Sequence, residues 1–197
     1  MLSPAQRSIR RRTIELATLS LPMPQPNHLR RIRFWLAVFI AGLVASGVTA
    51  FPLQTELGGL VSLLHTDSLR PIAESTQLLP WIERVHKALS ATNAQYPFLA
   101  YGTDWLAFAH IVIAIAFIGP YIDPIRNKWI ITFGLIACAG VVPLALIAGQ
   151  VRGIPLPWRL IDCSFGVIGC IPLLLCTQSI RALEKNGNQI ETKADPC

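Results

Sequence analysis

Charge is what this sequence has least of. Asp, Glu, Lys and Arg make up 14% of its 197 residues, against about 25% in soluble domains. One domain of that length would need more charge to cover a water-facing surface, so a soluble globular fold is a poor reading. Chemistry-bearing motifs are scarce too. There is no CxxC, no Cys/His zinc spacing, no GxSxG, no P-loop and no dinucleotide fingerprint. Period-two alternation is missing as well, which excludes a membrane β-barrel.

What the sequence does have is apolar residue in long runs. Hydrophobic residues reach 52%, and four uncharged stretches are long enough to cross about 30 Å of hydrocarbon as helices. They cover 34–55, 105–122, 129–151 and 160–180, the last becoming fully uncharged from Cys163. Charges bound each stretch: Arg33 and Glu56, Asp104 and Asp123, Lys128 and Arg152, Asp162 and Arg181. The expected fold class is therefore all-α, a four-helix transmembrane bundle. Residues 1–33 form a basic arm before it, 34–182 the membrane domain, and 183–197 a polar tail. The first stretch has a rival reading as a secretory signal, because Val48-Thr49-Ala50 resembles a cleavage site. The long basic segment before it and Pro52 just after favour an uncleaved span.

Orientation follows from the placement of positive charge. Arg7, Arg10, Arg11, Arg12, Arg30, Arg31 and Arg33 precede the first span. The 123–128 turn and the tail, with Arg181, Lys185 and Lys193, fall on the same side. That side is expected to be cytoplasmic, with both termini inside and residues 56–104 as a long outer loop. The membrane is expected to be the plasma membrane. The basic arm lacks interleaved aromatics, so a membrane-flanking role explains it and nucleic acid is not an expected partner. Trp35, Trp105, Trp129 and Trp158 mark span ends, where indole rings prefer to sit.

Within the spans, small residues four apart are expected to let helices approach: Gly42 with Ser46, Gly134 with Cys138, Gly166 with Cys170. Pro143 and Pro172 are expected to kink the third and fourth spans. The four intramembrane cysteines read as small hydrophobes, with a redox role, centred on Cys163, as the alternative. A short helix is expected around 8–20, in an otherwise mobile arm, and a disordered tail from Leu183. In the outer loop, Leu57, Leu60, Val61 and Leu64 share one helical face, and Trp81, Val85 and Leu89 another. Two short amphipathic helices are expected there, on the bilayer surface or over the bundle, with a protein-binding surface as the alternative.

Six polar residues gather at one membrane depth near the outer face: Asp104, His110, Gln150, Arg152, Arg159 and Asp162. At 1.5 Å per residue, His110 lies about 8 Å below Trp105 and Asp162 about 6 Å below Trp158. A His–Asp meeting within the bundle could relay protons or hold a polar headgroup, with an arginine balancing the acid. The structural reading stands beside it: Asp104 as a helix N-cap, Asp162 in a first turn, both arginines snorkelling. Haem is not expected, because only His110 lies within a span. Glu83 and His86 have the ExxH spacing of carboxylate-bridged metal sites, but such sites need two motifs, so no metal or cofactor is expected.

The segments Tyr101-Gly102-Thr103-Asp104-Trp105 through His110, and Trp158-Arg159-Leu160-Ile161-Asp162-Cys163, resemble an uncharacterised family of small bacterial four-span integral membrane proteins over about residues 34–180. The resemblance implies the fold and no activity. The leading expectation is a non-catalytic accessory or interaction subunit that meets a membrane-protein partner through its outer loop. The alternatives are a small transporter or proton-coupled protein using the six polar residues, and a membrane enzyme acting on lipid or quinone.

Overall fold

The computed structural model describes residues 26–194, with side chains from 27 to 185. The helix expected around 8–20 lies outside the described residues. Among these the chain is helix and turn, with no strand. In chain order the elements are α1 (Pro26–Ala50), α2 (Leu53–Leu64), α3 (Arg70–Ser75), α4 (Leu78–Gln95), a 3-10 turn (Pro97–Ala100), α5 (Tyr101–Ala116), α6 (Ile118–Ile122), α7 (Lys128–Val151) and α8 (Leu156–Ala194). Four segments are long and apolar enough to cross a membrane: Asn27–Ala50, Pro97–Ile122, Lys128–Val151 and Leu156–Lys185. A helix satisfies its backbone amides internally, as hydrocarbon requires.

The span ends differ from those the apolar runs suggest. The first helix starts at Pro26 because proline suits a first turn, where its missing N–H has no intrahelical acceptor. It then carries Arg30, Arg31 and Arg33 on its open faces while Ile32 and Leu36 are fully buried. The fourth span does not give way to a disordered tail at Leu183. That leucine belongs to the core, and α8 continues to Ala194. The second span breaks at Phe117, where Pro120 has no N–H to offer the Ala116 carbonyl. Beyond the break, Asn127 Nδ2 donates to the carbonyls of Gly119 (3.2 Å) and Asp123 (2.9 Å), tying the turn to α6. The third and fourth helices run on through Pro143 and Pro172.

Both described termini and the 123–127 turn lie at one end of the bundle, residues 51–100 at the other. At the terminal end all four spans share one core: Ile32 and Leu36 of α1, Phe117 after α5, Ile131 of α7, and Leu173, Cys176, Ile180 and Leu183 of α8. Phe117 sits against Phe39, ring centroids 4.7 Å apart, and against Gly134, which also meets Leu173. The Cys176 thiol points at the Ile32 carbonyl, 3.6 Å away.

Toward the loop end the buried contacts run from one span to a single neighbour. Gly47, the one residue buried on α1 past Leu36, packs on Ala107, His110 and Ile111 of α5. Gly166, the one residue buried on α8 before Pro172, packs on the Cys138 carbonyl and Val141 of α7. Cys163 and Val142 extend that second contact. Of the small residues expected to mediate packing, Gly134 and the Gly166–Cys138 approach do so, but Gly42 faces open space and Gly47 takes its place. The outward surface of both pairs is apolar, with Val48 and Phe108 exposed on α1 and α5, and Leu144, Ile147, Phe165 and Ile168 exposed on α7 and α8. Soluble proteins rarely leave so much apolar surface open, whereas lipid covers it.

Residues 53–95 build a unit of their own. Helices α2 and α4 pack side by side with α3 across their far end, and the unit touches the spans mainly at its base. Leu57, Ala73, Leu79 and Ile82 form its small interior. Gln77 takes a left-handed backbone (φ 61°) to turn the chain from α3 into α4.

Candidate functional site

All six polar candidates belong to the loop-end half, but they are spread over three spans. Asp104 and His110 lie on α5; Gln150, Arg152, Arg159 and Asp162 lie on or beside α7 and α8. Among the described residues no hydrogen bond or ion pair links any two of the six.

Asp104 is not an N-cap. Ala100 precedes the helix, and Asp104 is its fourth residue, half-buried in the first turn where the helix dipole favours an acid. His110 turns back on its own helix. Its Nδ1 donates to the Leu106 carbonyl at 2.7 Å, which leaves Nε2 as the open acceptor. Its Cβ presses on Gly47, so the imidazole is fixed by the α1–α5 contact.

On the second pair, the α7–α8 turn is set by backbone rules. Ile154 N–H reaches the Gly149 carbonyl (2.9 Å) and Gly153 N–H the Gln150 carbonyl (3.2 Å), with Gly153 at φ 68°. These two bonds close α7 with a left-handed glycine cap. Gln150 and Arg152 are left exposed on the cap. Arg159 does the opposite of snorkelling. Its stem lies across Gly149, where any side chain would collide with Cγ and Cδ at 2.7 and 2.5 Å. Its Nη1 donates to the Leu146 carbonyl at 3.3 Å, and its Nε is buried with no acceptor. Asp162, one turn further along α8, is half-buried and accepts no hydrogen bond from the described residues. It shares a helical stripe with Gly166 and Gly169, which both meet Cys138 of α7, so it lies on the side that α8 turns to α7, the side Arg159 also takes.

Three features had no counterpart among the sequence candidates. The first is a pocket of about 200 Å³ at the base of the loop unit, lined by Phe51, Gln54, Leu89, Asn93 and Thr103 among others. Asn93 donates to Gln54 (3.0 Å), while its own Oδ1 is buried without a donor. The second is the pair His65–Glu83, 2.7 Å apart, which joins the end of α2 to α4. It also explains the ExxH spacing: Glu83 is engaged by His65, while His86 lies against Gly58 on the neighbouring face. Arg70 and Glu74 pair at 2.8 Å on α3, and that hydrogen bond, then the carboxylate charge, raises the guanidinium above its ordinary pKa. The third is Gly149, whose role appears only once Arg159 is seen lying on it.

Chemically, the arrangement offers two opposite charges a turn apart on α8 and a separate histidine on α5. It does not offer a continuous proton path through side chains. No family model, curated protein or solved structure matches this chain.

Proposed function

We propose that this chain is a non-catalytic accessory protein of the plasma membrane, with both termini cytoplasmic and the 53–95 unit outside, where it docks a membrane-protein partner. The resemblance of its 101–110 and 158–163 segments to small bacterial four-span membrane proteins fits this reading. One observation carries it. The far end of the loop unit exposes Leu63, Leu69 and Ile72, with Ile72 62% accessible. These side chains flank a single turn, tied by Leu69 N–H to the Thr66 carbonyl and Ala73 N–H to the Leu69 carbonyl. They belong to a unit that leans on the spans mainly at its base, and apolar side chains grouped at such an end favour burial against another protein.

A photo-crosslinker at position 72 in intact membranes tests the docking. The expected result is one discrete protein adduct, lost when Leu63 is changed to Glu and absent from the lipid-facing position 147. Adducts to lipid alone would overturn the docking and place the tip on the bilayer. The orientation has its own test. A reporter active only outside the cytoplasm should work when inserted after residue 76 and stay silent after residue 193.

A second reading, a transporter or an enzyme acting on lipid or quinone, has one observation in its favour. Among the described residues, His110 and Asp162 carry no side-chain partner although both are half-buried in membrane-length helices.

A further inference from the structure

Oppositely charged side chains three apart on a helix are neighbours and normally meet. In apolar surroundings the drive to meet is stronger, because an unpaired charge there is costly. Arg159 and Asp162 stand at that spacing in the loop-end half of α8, and they form no ion pair. Each is instead held for something else. The arginine stem is laid over Gly149 and its Nη1 fixed on the Leu146 carbonyl, leaving Nε without an acceptor. The aspartate lies on the stripe of Gly166 and Gly169, half-buried and without a donor among the described residues. Among the described residues, neither charge is neutralised by another side chain.

We infer that Arg159 and Asp162 form a binding site for a zwitterion bearing an anionic oxygen group and a primary ammonium, as in the phosphoethanolamine head of a membrane lipid. The two charges present complementary poles about one helical turn apart, roughly 5 Å along the axis. The guanidinium offers donors to a phosphate, and the carboxylate accepts from the ammonium N–H groups. A phosphocholine head has no N–H to give Asp162. A phosphoglycerol head brings the phosphate but no cation, leaving the carboxylate unbalanced. The order of preference is therefore ethanolamine first, with choline and glycerol behind it. The location suits a lipid: Leu160 and Phe165 beside the site are exposed on the apolar outer surface, and Trp158 next to it prefers the headgroup level. This site is independent of the docking tip at Leu63, Leu69 and Ile72, and neither stands or falls with the other.

The test uses the full-length protein in nanodiscs of equal parts phosphoethanolamine, phosphocholine and phosphoglycerol lipids, with retained lipid read by native mass spectrometry after release. Selective retention of one phosphoethanolamine lipid is expected. Asp162→Asn should cut the preference over phosphocholine about tenfold, the size of one lost charge-assisted hydrogen bond. Arg159→Gln should abolish retention of all three. Should Arg159→Gln not fold, Arg159→Lys keeps the charge without the planar fork and should lose part of the retention. A separate arm titrates soluble phosphoethanolamine into delipidated protein in detergent. Saturable binding there that Asp162→Asn removes assigns the same site to a free zwitterion rather than a lipid. Equal retention of all three lipids by the unmodified protein, together with no saturable binding of the soluble headgroup, overturns the proposal. So does a preference that both substitutions leave intact.

Discussion

At its terminal end this bundle is a four-way core, and toward its loop end its buried contacts are pairwise. The difference lies in side-chain size. Where Phe117, Leu173, Ile131 and Leu36 meet, large side chains from all four spans interlock. Where Gly47 meets α5 and Gly166 meets α7, glycine brings two backbones together but leaves nothing to reach a third helix. In lipid, helix association depends on such close packing rather than on hydrophobic burial. Stability should therefore concentrate at the terminal end, while the loop end keeps polar groups with unmet hydrogen-bonding capacity.

The largest effect that would sharpen this contrast is the loss of Phe117. Its ring is fully buried and touches Phe39 and Gly134, so Phe117→Ala should cost about 3 kcal/mol. Phe165, on the loop-end half and 68% exposed, should lose less than about 0.5 kcal/mol on the same change. Thermal unfolding of the two variants in one mild detergent compares them directly. Equal losses would mean that the core is not confined to the terminal end.

Glycine substitutions probe the pairs one at a time. A Cβ at Gly166 would sit 2.5 Å from the Cys138 carbonyl oxygen, and one at Gly47 would sit 2.9 Å from the Ala107 carbonyl oxygen. Both neighbours are backbone and cannot rotate away. Gly166→Ala and Gly47→Ala should each cost about 1–3 kcal/mol by over-packing. Gly42→Ala meets nothing within 4 Å and should be neutral or slightly stabilising. A neutral Gly47→Ala beside a costly Gly42→Ala would rotate α1 and dissolve the pairing described above.

That last contrast also shows how far the sequence could be read. The apolar runs located four spans because hydrocarbon demands length and lack of charge, and both are visible in one dimension. Depth was visible for the same reason, so the six polar residues do lie in one half of the bundle. Azimuth was not. Gly42 with Ser46 has the same four-residue spacing as any packing pair, and nothing local says that Gly47 is the one facing α5. Likewise, counting residues could bring His110 and Asp162 to similar levels but could not reveal that one turns to α1 and the other to α7. Helix ends were misjudged where charged residues sit on the open faces of a helix that has already begun. Arg30, Arg31 and Arg33 alternate with the buried Ile32, and Arg181 and Lys185 flank the buried Leu183.

The smallest expected effect concerns the loop unit. His65 and Glu83 bridge α2 to α4 at 2.7 Å, but both side chains are nearly half exposed, at 44% and 47%. Water screens such a pair, so Glu83→Gln should change global unfolding by less than about 1 kcal/mol. Its consequence should be local instead. The bridge is the side-chain tie between α2 and α4 nearest the Leu63–Ile72 tip, whereas the Gln54 contacts with Ser90 and Asn93 hold the base. Amide exchange in 60–78 should therefore quicken in Glu83→Gln while 86–95 stays as it was. If both segments quickened together, the unit would open as one body from its base, and the tip could not adjust to a partner independently of the spans.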